Sequence, residues 1–365
     1  MSDSRPLALA LALLLSASGC TAPTPPRAAA PPTAPPPREP LVTETIAAPA
    51  SPASTVLSSE PWTLESPDGR LLQTRSFSIY TTTTRRPLPE RLPAFLELAL
   101  AHYRSSLGDL PEPPTKLEAY IMANRPQWAR MTQRLMGEQA PIYLRIERGG
   151  FTAAGRAVLW DIGIRDTFAI AAHEGWHLYT QRTFRNPLPV SFEEGLATYM
   201  EGFRWDRASP TGLPTFTPWS NVERFDQLRT AERSGRLLTL PQLLQSTPQE
   251  LMANDPGAAL TYYAQVWAFI HFLNEGAGGR RRPTLRTLLS DAARGQLLPR
   301  IQRELGGRAA AAYANRRTGI DLLELYFGQS TADLDAEYQE FIRQIVRVGS
   351  KERIVTGRSP ITPGV

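Results

Sequence analysis

Two of the four histidines in this 365-residue chain lie four residues apart, within the stretch Ala-His-Glu-Gly-Trp-His-Leu at 172–178. On an α-helix, side chains four residues apart project from one face, so His173 and His177 can reach a single metal ion. Glu174 lies about 100° farther round the helix, where its carboxylate can face a water molecule on that ion. Because histidine is scarce, a chain of this composition is expected to contain only about 0.003 matches to this His-Glu-x-x-His pattern by chance.

A second motif follows one loop later, where residues 194–201 read Glu-Gly-Leu-Ala-Thr-Tyr-Met-Glu. This run resembles the second zinc-binding helix of the gluzincins, the aminopeptidase-like and thermolysin-like metallopeptidases, in which Glu-Gly-x-Ala supplies a glutamate ligand. The resemblance implies Zn²⁺ as the cofactor, with His173, His177 and Glu194 as its ligands. It also implies Glu174 as the catalytic base and a zincin-like fold.

The acidic residues of this second motif allow other interpretations. Ser191 and Glu194 also fit a helix capping box, in which the glutamate accepts a hydrogen bond from a free backbone amide. Glu193 is an alternative ligand, one position away. Glu201 lies seven residues beyond Glu194 and thus on nearly the same helix face. It is either a hydrogen-bond partner for a ligating histidine or an exposed helix charge.

A third segment, Tyr-Tyr-Ala-Gln-Val-Trp-Ala-Phe-Ile-His-Phe-Leu at 262–273, is similar to a later gluzincin helix. In that family, a tyrosine there donates a hydrogen bond to the developing oxyanion, which implies Tyr263 as a catalytic residue, with Tyr262 the weaker candidate. Aromatic residues at helical spacing also fit a buried core. His102 and His271 lie in apolar helical patterns and are predicted to be structural. The chain lacks the Gly-x-Met-Glu-Asn segment of true aminopeptidases.

These motifs predict peptide-bond hydrolysis, in which zinc acidifies a water and Glu174 removes its proton. The resulting hydroxide then attacks the carbonyl group of the peptide bond. A peptide or protein substrate is implied by the gluzincin resemblance. We expect residues 157–160, directly before the motif helix, to hold substrate backbone as an added strand. Two alternatives stay open: a tethered binding or scaffold protein that keeps zinc without catalysis, and a zinc hydrolase of a non-peptide bond.

The amino terminus predicts export. Residues 1–19 combine a short polar start, an apolar run and small residues, which is typical of a signal peptide. Cys20 is the only cysteine and directly follows this segment. Its position resembles that of the cysteine in the lipobox of bacterial lipoproteins. This resemblance implies a lipid on Cys20 that anchors the protein to a membrane, with the outer membrane favoured. Simple secretion is the alternative. Residues 20–55 are rich in proline and alanine and predict a tether. We therefore expect a periplasmic or cell-surface protein.

The remaining sequence predicts an α+β fold, with a small mixed sheet in residues 56–164 and a predominantly helical, zinc-binding part in residues 165–347. Residues 348–365 are expected to form a loose tail. The net charge is +5, but the basic residues are dispersed, so no nucleic-acid partner is expected. The predicted elements of the first part are strands at 75–82, 117–122, 142–146 and 157–162, and a helix at 90–106.

Overall fold

The computed structural model describes residues 55–205, 212–255 and 257–361. The predicted signal peptide, Cys20 and the tether lie outside these residues. The fold mixes α and β structure: a small amino-terminal sheet is followed by a mostly helical body. Within the described residues, no helix is both long enough and apolar enough to cross a bilayer.

The amino-terminal sheet has six strands in the order β1-β2-β3-β4-β6-β5. The neighbours β3, β4 and β6 are parallel, whereas β1, β2 and β5 run antiparallel to the strands they pair with. As a result β5 forms one edge of the sheet and β6 is paired on both sides. The strands are β1 (Ser58–Pro61), β2 (Arg70–Gln73), β3 (Phe77–Thr81), β4 (Leu117–Met122), β5 (Gly150–Ala153) and β6 (Arg156–Trp160).

Both faces of this sheet are buried, because side chains alternate across a strand. On β6, Ala157 and Leu159 join the main hydrophobic core, whereas Val158 and Trp160 join a second cluster on the opposite face. Three helices belong to this part of the chain, and the first of them packs on the main core. They are α1 (Leu88–Ser106), α2 (Arg125–Met136) and α3 (Ala140–Tyr143).

The helical body begins with α4, which packs against both α1 and the sheet. A two-stranded ribbon, β7 (Phe203–Trp205) and β8 (Pro214–Phe216), interrupts it. The helices are α4 (Ile164–Thr183), α5 (Val190–Met200), α6 (Val222–Arg233), α7 (Leu240–Gln245), α8 (Pro248–Asn254), α9 (Ala258–Gly279), α10 (Arg282–Arg294), α11 (Leu297–Leu305), α12 (Gly307–Arg316), α13 (Ile320–Phe327), α14 (Thr331–Val346) and α15 (Ser350–Val355).

The predicted strand at 142–146 is wrong, although the strands at 75–82 and 117–122 and the helix at 90–106 are confirmed with small shifts of their ends. Residues up to Tyr143 belong to a helix, and the partner of β6 in the hairpin is β5. A short apolar run does not by itself distinguish a strand from a helix, and Pro141 in the first turn favours the helix.

The described part of the expected loose tail is folded over residues 350–361. Ser350 and Ile354 of α15 are buried. Farther on, the Arg347 guanidinium donates to the carbonyl oxygen of Pro360 at 2.9 Å, and the Ser359 hydroxyl donates to the Glu275 carboxylate on α9 at 2.7 Å. One buried isoleucine and a few long-range hydrogen bonds hold this segment, and neither feature produces a recognisable sequence pattern.

Candidate metal centre

The helix that carries both motif histidines, α4, runs through the centre of the molecule and is buried over most of its length. The hydroxyl of Tyr103, on α1, donates to the carbonyl oxygen of Ala172 at 2.6 Å. This close approach requires the glycine of the motif, because a Cβ on Gly175 would lie 2.7 Å from the Tyr103 hydroxyl oxygen. The glycine between the two histidines therefore has a packing role.

The second motif helix, α5, is held against α9 by its own glycine. A Cβ on Gly195 would lie 2.8 Å from the backbone oxygen of Val266 and 2.9 Å from the side chain of Ile270. Only a glycine permits this separation, because a Cβ carbon cannot approach a backbone oxygen so closely without a clash. The approach carries Glu194, the preceding residue, into the interior beside α4, where it is fully buried.

The capping-box interpretation of Ser191 and Glu194 is wrong. The residue at the N-cap of α5 is Pro189, with no side-chain cap hydrogen bond. Within the described part of the chain, neither the Ser191 hydroxyl nor either Glu194 carboxylate oxygen has a hydrogen-bond partner. A proline at this position has no hydroxyl or carboxylate with which to form a cap, so Glu194 is available for another role.

The structure brings together the three predicted ligands. One nitrogen from each histidine and one carboxylate oxygen from Glu194 all lie within 4.8 Å of one another. The Nε2 atoms of His173 and His177 are 3.2 Å apart, and they lie 3.5 and 3.6 Å from the same oxygen, Oε2 of Glu194. This buried group can hold a metal ion.

The other ring nitrogen of each histidine contacts a second carboxylate. Nδ1 of His173 lies 2.8 Å from Glu201, and Nδ1 of His177 lies 3.0 Å from Glu193. Glu201 is therefore a buried partner of a histidine and not an exposed helix charge. Glu193, the alternative ligand, orients His177 instead, and the Thr180 hydroxyl donates to the same Glu193 oxygen at 2.6 Å.

The chemistry of these contacts fits a cation. A neutral histidine that donates its Nδ1–H to a carboxylate presents a lone pair at Nε2. In this tautomer, His173 and His177 direct two lone pairs toward each other and toward the carboxylate of Glu194, and no donor stands among them. Three buried acceptors at such distances repel one another unless a cation, or extra protons, lie between them.

The pKa values of the candidate ligands describe the alternative in which extra protons, rather than a metal cation, lie between these groups. Burial opposes the charged form of His177, but the carboxylates of Glu194 and Glu193 outweigh it and raise the pKa of this imidazole to about 10. Burial likewise opposes ionised Glu194, yet the charges of His177 and His173 lower its pKa to about 2. The pocket thus favours positive charge next to an ionised Glu194.

Glu174 lies beside this group without belonging to it. The Thr152 hydroxyl, on edge strand β5, donates to Oε2 of Glu174 at 2.8 Å. Oε1 of Glu174 is buried and has no hydrogen-bond partner within the described residues. Burial raises the pKa of the Glu174 carboxyl, an effect that His173 and His177 oppose. The carboxylate therefore offers one fixed oxygen and one available oxygen.

Tyr263, on α9, also borders the site. Its ring lies 6.2 Å from that of His173, and the guanidinium of Arg224 stacks over it at 5.1 Å. Burial, together with the nearby carboxylate of Glu194, raises the pKa of the Tyr263 hydroxyl well above its usual value. Its neighbour Tyr262 is fully buried, and its hydroxyl has no hydrogen-bond partner within the described residues.

His102 and His271 are outside the metal group, as the sequence predicts. The ring of His102 stacks on Phe216 with the centroids 5.3 Å apart. The ring of His271 stacks on Trp219 at 3.5 Å, and its Nδ1 lies 3.3 Å from Glu275. Both imidazoles fill aromatic surroundings, which is a structural role.

The residues that support the site come from distant parts of the chain, and sequence reasoning missed them. Arg224 is fully buried and donates to Glu201 through Nη2 at 2.8 Å and Nε at 3.2 Å. Asn221 donates to the same carboxylate at 2.7 Å. The missed contacts also include Thr152 and Thr180. Only Asn221 carried a signal, as the N-cap of α6, and that signal concerns the helix rather than the site.

Comparison with known proteins identifies no relative: no protein-family model matches this chain, and no curated protein matches it. The likeness to the gluzincins therefore stays at the level of the sequence motifs.

Replacing Glu201 with glutamine is expected to lower metal affinity about 10- to 100-fold, because an amide holds the Nδ1–H of His173 less strongly than a carboxylate does. Competition titration against a chromophoric zinc chelator measures this change. Glu275→Gln is the matched control, because it alters a buried histidine–glutamate pair away from the metal group. Equal affinities in the two variants would show that Glu201 does not act through His173.

Proposed function

We propose that this chain is a zinc-dependent metallopeptidase. The observation that carries the proposal is the arrangement of four buried side chains: three that can ligate one cation, and Glu174, whose Oε1 is available while Thr152 holds Oε2. Two imidazole nitrogens with one carboxylate oxygen form the ligand set of several catalytic zinc sites, which leave a coordination position open.

The proposed roles follow from these positions. His173, His177 and Glu194 hold the zinc ion, which when bound polarises a carbonyl group and makes water more acidic. Glu174 accepts the proton of the attacking water at Oε1 and passes it to the leaving amine. Tyr263 donates a hydrogen bond to the carbonyl oxygen as that oxygen gains negative charge.

Glu174 favours a hydrolase over a non-catalytic scaffold. A zinc ion that only stabilises the helices needs the two histidines and Glu194, and gains nothing from a fourth buried side chain, Glu174, that is not a ligand. Burying a carboxylate with one unsatisfied oxygen is costly. The chain nevertheless keeps Glu174 there, with Thr152 fixing its orientation. Proton transfer gives this arrangement a use.

The expected position of the substrate backbone must be corrected. Residues 157–160 belong to β6, which is paired with β4 on one side and β5 on the other, so they offer no free edge. The edge strand is β5, whose Thr152 carbonyl oxygen accepts a hydrogen bond from the Gln181 side chain of α4 at 3.2 Å. We infer that β5 is the strand beside which a peptide backbone binds.

One experiment tests the proposed function directly. The zinc-loaded, full-length chain is incubated with a denatured protein mixture, and newly formed termini are identified by mass spectrometry. We expect new amino termini with the wild-type chain, at least about 100-fold fewer with Glu174→Gln, and none in the presence of a zinc chelator. Absence of new termini with the zinc-loaded wild type would overturn the proposal, and cleavage at the wild-type rate in Glu174→Gln would overturn the mechanism.

Tyr263→Phe is expected to lower kcat about 10²- to 10³-fold with a small change in KM, because an oxyanion donor acts mainly in the transition state. The neighbouring residue provides a matched control, since Tyr262→Phe removes an equally buried hydroxyl. Steady-state kinetics on a fluorogenic peptide measure both variants. A larger loss in Tyr262→Phe would assign the catalytic hydroxyl to that residue.

We also propose that the protein is exported and anchored through a lipid on Cys20. Metabolic labelling with a palmitate analogue tests this, with Cys20→Ser as the unlabelled control. Labelling of the serine variant, or a wild-type protein recovered only in the soluble fraction, would contradict the anchor.

A further inference from the structure

A cavity of about 590 Å³ adjoins the metal centre through one shared residue, Glu201. Arg165, Asp166 and Ala169 of α4 line it, and they precede His173 by eight, seven and four residues. These spacings place all of them on the helix face that carries the histidine. Glu201, which contacts Nδ1 of His173, lies in the same wall.

Two more helices complete the cavity. Helix α9 contributes Leu260 and Thr261, just before Tyr263, and α6 forms the opposite wall through Glu223 and Asp226. A peptide whose reacting bond lies at the metal would therefore have a neighbouring side chain next to this cavity. The volume is within the range of pockets that bind small organic groups.

Four carboxylates line the cavity, and three of them have cationic partners. Glu201 binds Arg224, and Asp166 forms an ion pair with Arg148. Asp226 accepts from Lys351 at 2.7 Å and from Arg229 at 2.8 Å. The charges of these three carboxylates are thus already neutralised by the protein.

The fourth carboxylate, Glu223, has no such partner. Within the described residues it forms no ion pair, and its one hydrogen bond comes from the neutral amide of Gln227 at 3.0 Å. The adjacent guanidinium of Arg224 donates to Glu201 and Gln227 instead. Burial raises the pKa of Glu223 to about 7, against the lowering effect of Arg224 and with a contribution from Glu201.

Two arginines also line the cavity, but they differ from Glu223 in their exposure. Arg165 and Arg236 are exposed, whereas Glu223 is half-buried. Water screens a charge at the protein surface much more than a charge inside a cavity. An incoming cation is therefore attracted most strongly to Glu223, because burial has already removed part of the water that would screen this carboxylate.

We propose that this cavity is a specificity pocket for a positively charged side chain, lysine or arginine, next to the scissile bond of the substrate, with Glu223 as its counter-ion. The role of the pocket in substrate specificity rests on the proposed peptidase function. The binding of a cation in the cavity does not depend on it. A charge-assisted hydrogen bond to a half-buried carboxylate is strong enough to select between charged and neutral side chains.

Benzamidine, a small rigid amidinium, tests the pocket without any turnover. In isothermal titration of the zinc-loaded, full-length chain, we expect Glu223→Gln to weaken benzamidine binding about 10- to 100-fold. Asp226→Asn is the matched control, since the same change affects a carboxylate in the same wall that already has cationic partners; we expect its affinity within about twofold of wild type. Equal affinities in wild type and Glu223→Gln, or no saturable binding to the wild type, would overturn the pocket.

Paired peptides that differ only in arginine or its neutral isostere citrulline test the specificity. The wild type should favour the arginine peptide in kcat/KM by about 10- to 100-fold, and Glu223→Gln should lose most of this preference. Glu174-dependent cleavage without a preference for basic residues would overturn the pocket and leave the peptidase standing. Glu223-dependent benzamidine binding without any Glu174-dependent cleavage would support the cation pocket and refute the peptidase.

Discussion

Glu174→Gln is expected to lower kcat for the proposed peptide hydrolysis by about 10²- to 10⁴-fold, the range that follows from removal of a general base. The amide of glutamine accepts a hydrogen bond at its oxygen but cannot take a proton from water at neutral pH. Because Glu174 is not among the groups that converge on the metal position, the variant should retain one zinc per chain. Steady-state kinetics and elemental analysis of the same preparation measure both quantities.

Metal content is the control that makes this result informative. If Glu174→Gln loses zinc together with activity, Glu174 acts as a ligand, and the assignment of Glu194 must be revised. If it keeps both zinc and wild-type turnover, the general base lies elsewhere. A variant at Thr152, whose hydroxyl holds Oε2 of Glu174, adds a graded test: Thr152→Val should reduce kcat by less than Glu174→Gln does and should also retain zinc.

Glu194→Ala lowers zinc affinity by about 10³-fold, since each ligand of a protein zinc site carries on the order of 3 to 4 kcal/mol of the binding free energy. Metal that binds only the native state raises its stability. The melting temperature of the wild type should therefore fall on addition of a chelator, whereas that of Glu194→Ala should hardly respond. Differential scanning calorimetry with and without chelator measures this difference.

The neighbouring glutamate supplies the matched control. Glu193 is also buried and also lies close to His177, but it contacts Nδ1 rather than Nε2. Glu193→Ala should therefore weaken zinc binding only about 10- to 100-fold, through the orientation of His177. A full loss of zinc in Glu193→Ala together with a small effect of Glu194→Ala would exchange the two roles.

The metal centre joins chain segments that are distant in sequence, and this has a consequence for stability. The three candidate ligands lie on α4 and α5. Glu193 of α5 and Glu201 just after it contact the two histidines, Arg224 of α6 contacts Glu201, and Thr152 of β5 contacts Glu174. Arg224 contacts both a supporting carboxylate and the candidate catalytic tyrosine, since it binds Glu201 and stacks over Tyr263. Metal binding is thus coupled to the packing of the helical body against the sheet.

The carboxylates around the two histidines show why residue type alone does not assign roles in such a site. Glu193, Glu194 and Glu201 lie within one nine-residue segment, and each is buried. Glu194 faces both Nε2 atoms, whereas Glu193 and Glu201 each face one Nδ1 atom. Their roles follow from the rotation of α5 about its own axis, which is fixed in part by the close packing of Gly195 against α9.

The sequence by itself determined the histidine pair, its helix and the general position of Glu174, because side-chain direction on a helix repeats with a known period. It also determined the α+β class and three of the six strands of the sheet, β3, β4 and β6, through alternation and runs of apolar residues. These features depend on residues close together in the chain. The Glu-Gly-Leu-Ala motif is also a local pattern, so the sequence alone revealed it. Its resemblance to the gluzincin helix did not exclude a capping box at Ser191.

Only the tertiary structure decided which carboxylate meets the imidazoles, that β5 rather than β6 is an edge strand, and that residues 350–361 are folded. It also revealed the contacts of Arg224 and Thr152, and a Glu223 carboxylate that forms no ion pair within the described residues. These contacts form between elements that are separated by many residues, and their side chains meet only when helices and sheet pack at particular distances. Packing at that level depends on the whole set of neighbouring side chains, so no short pattern encodes it.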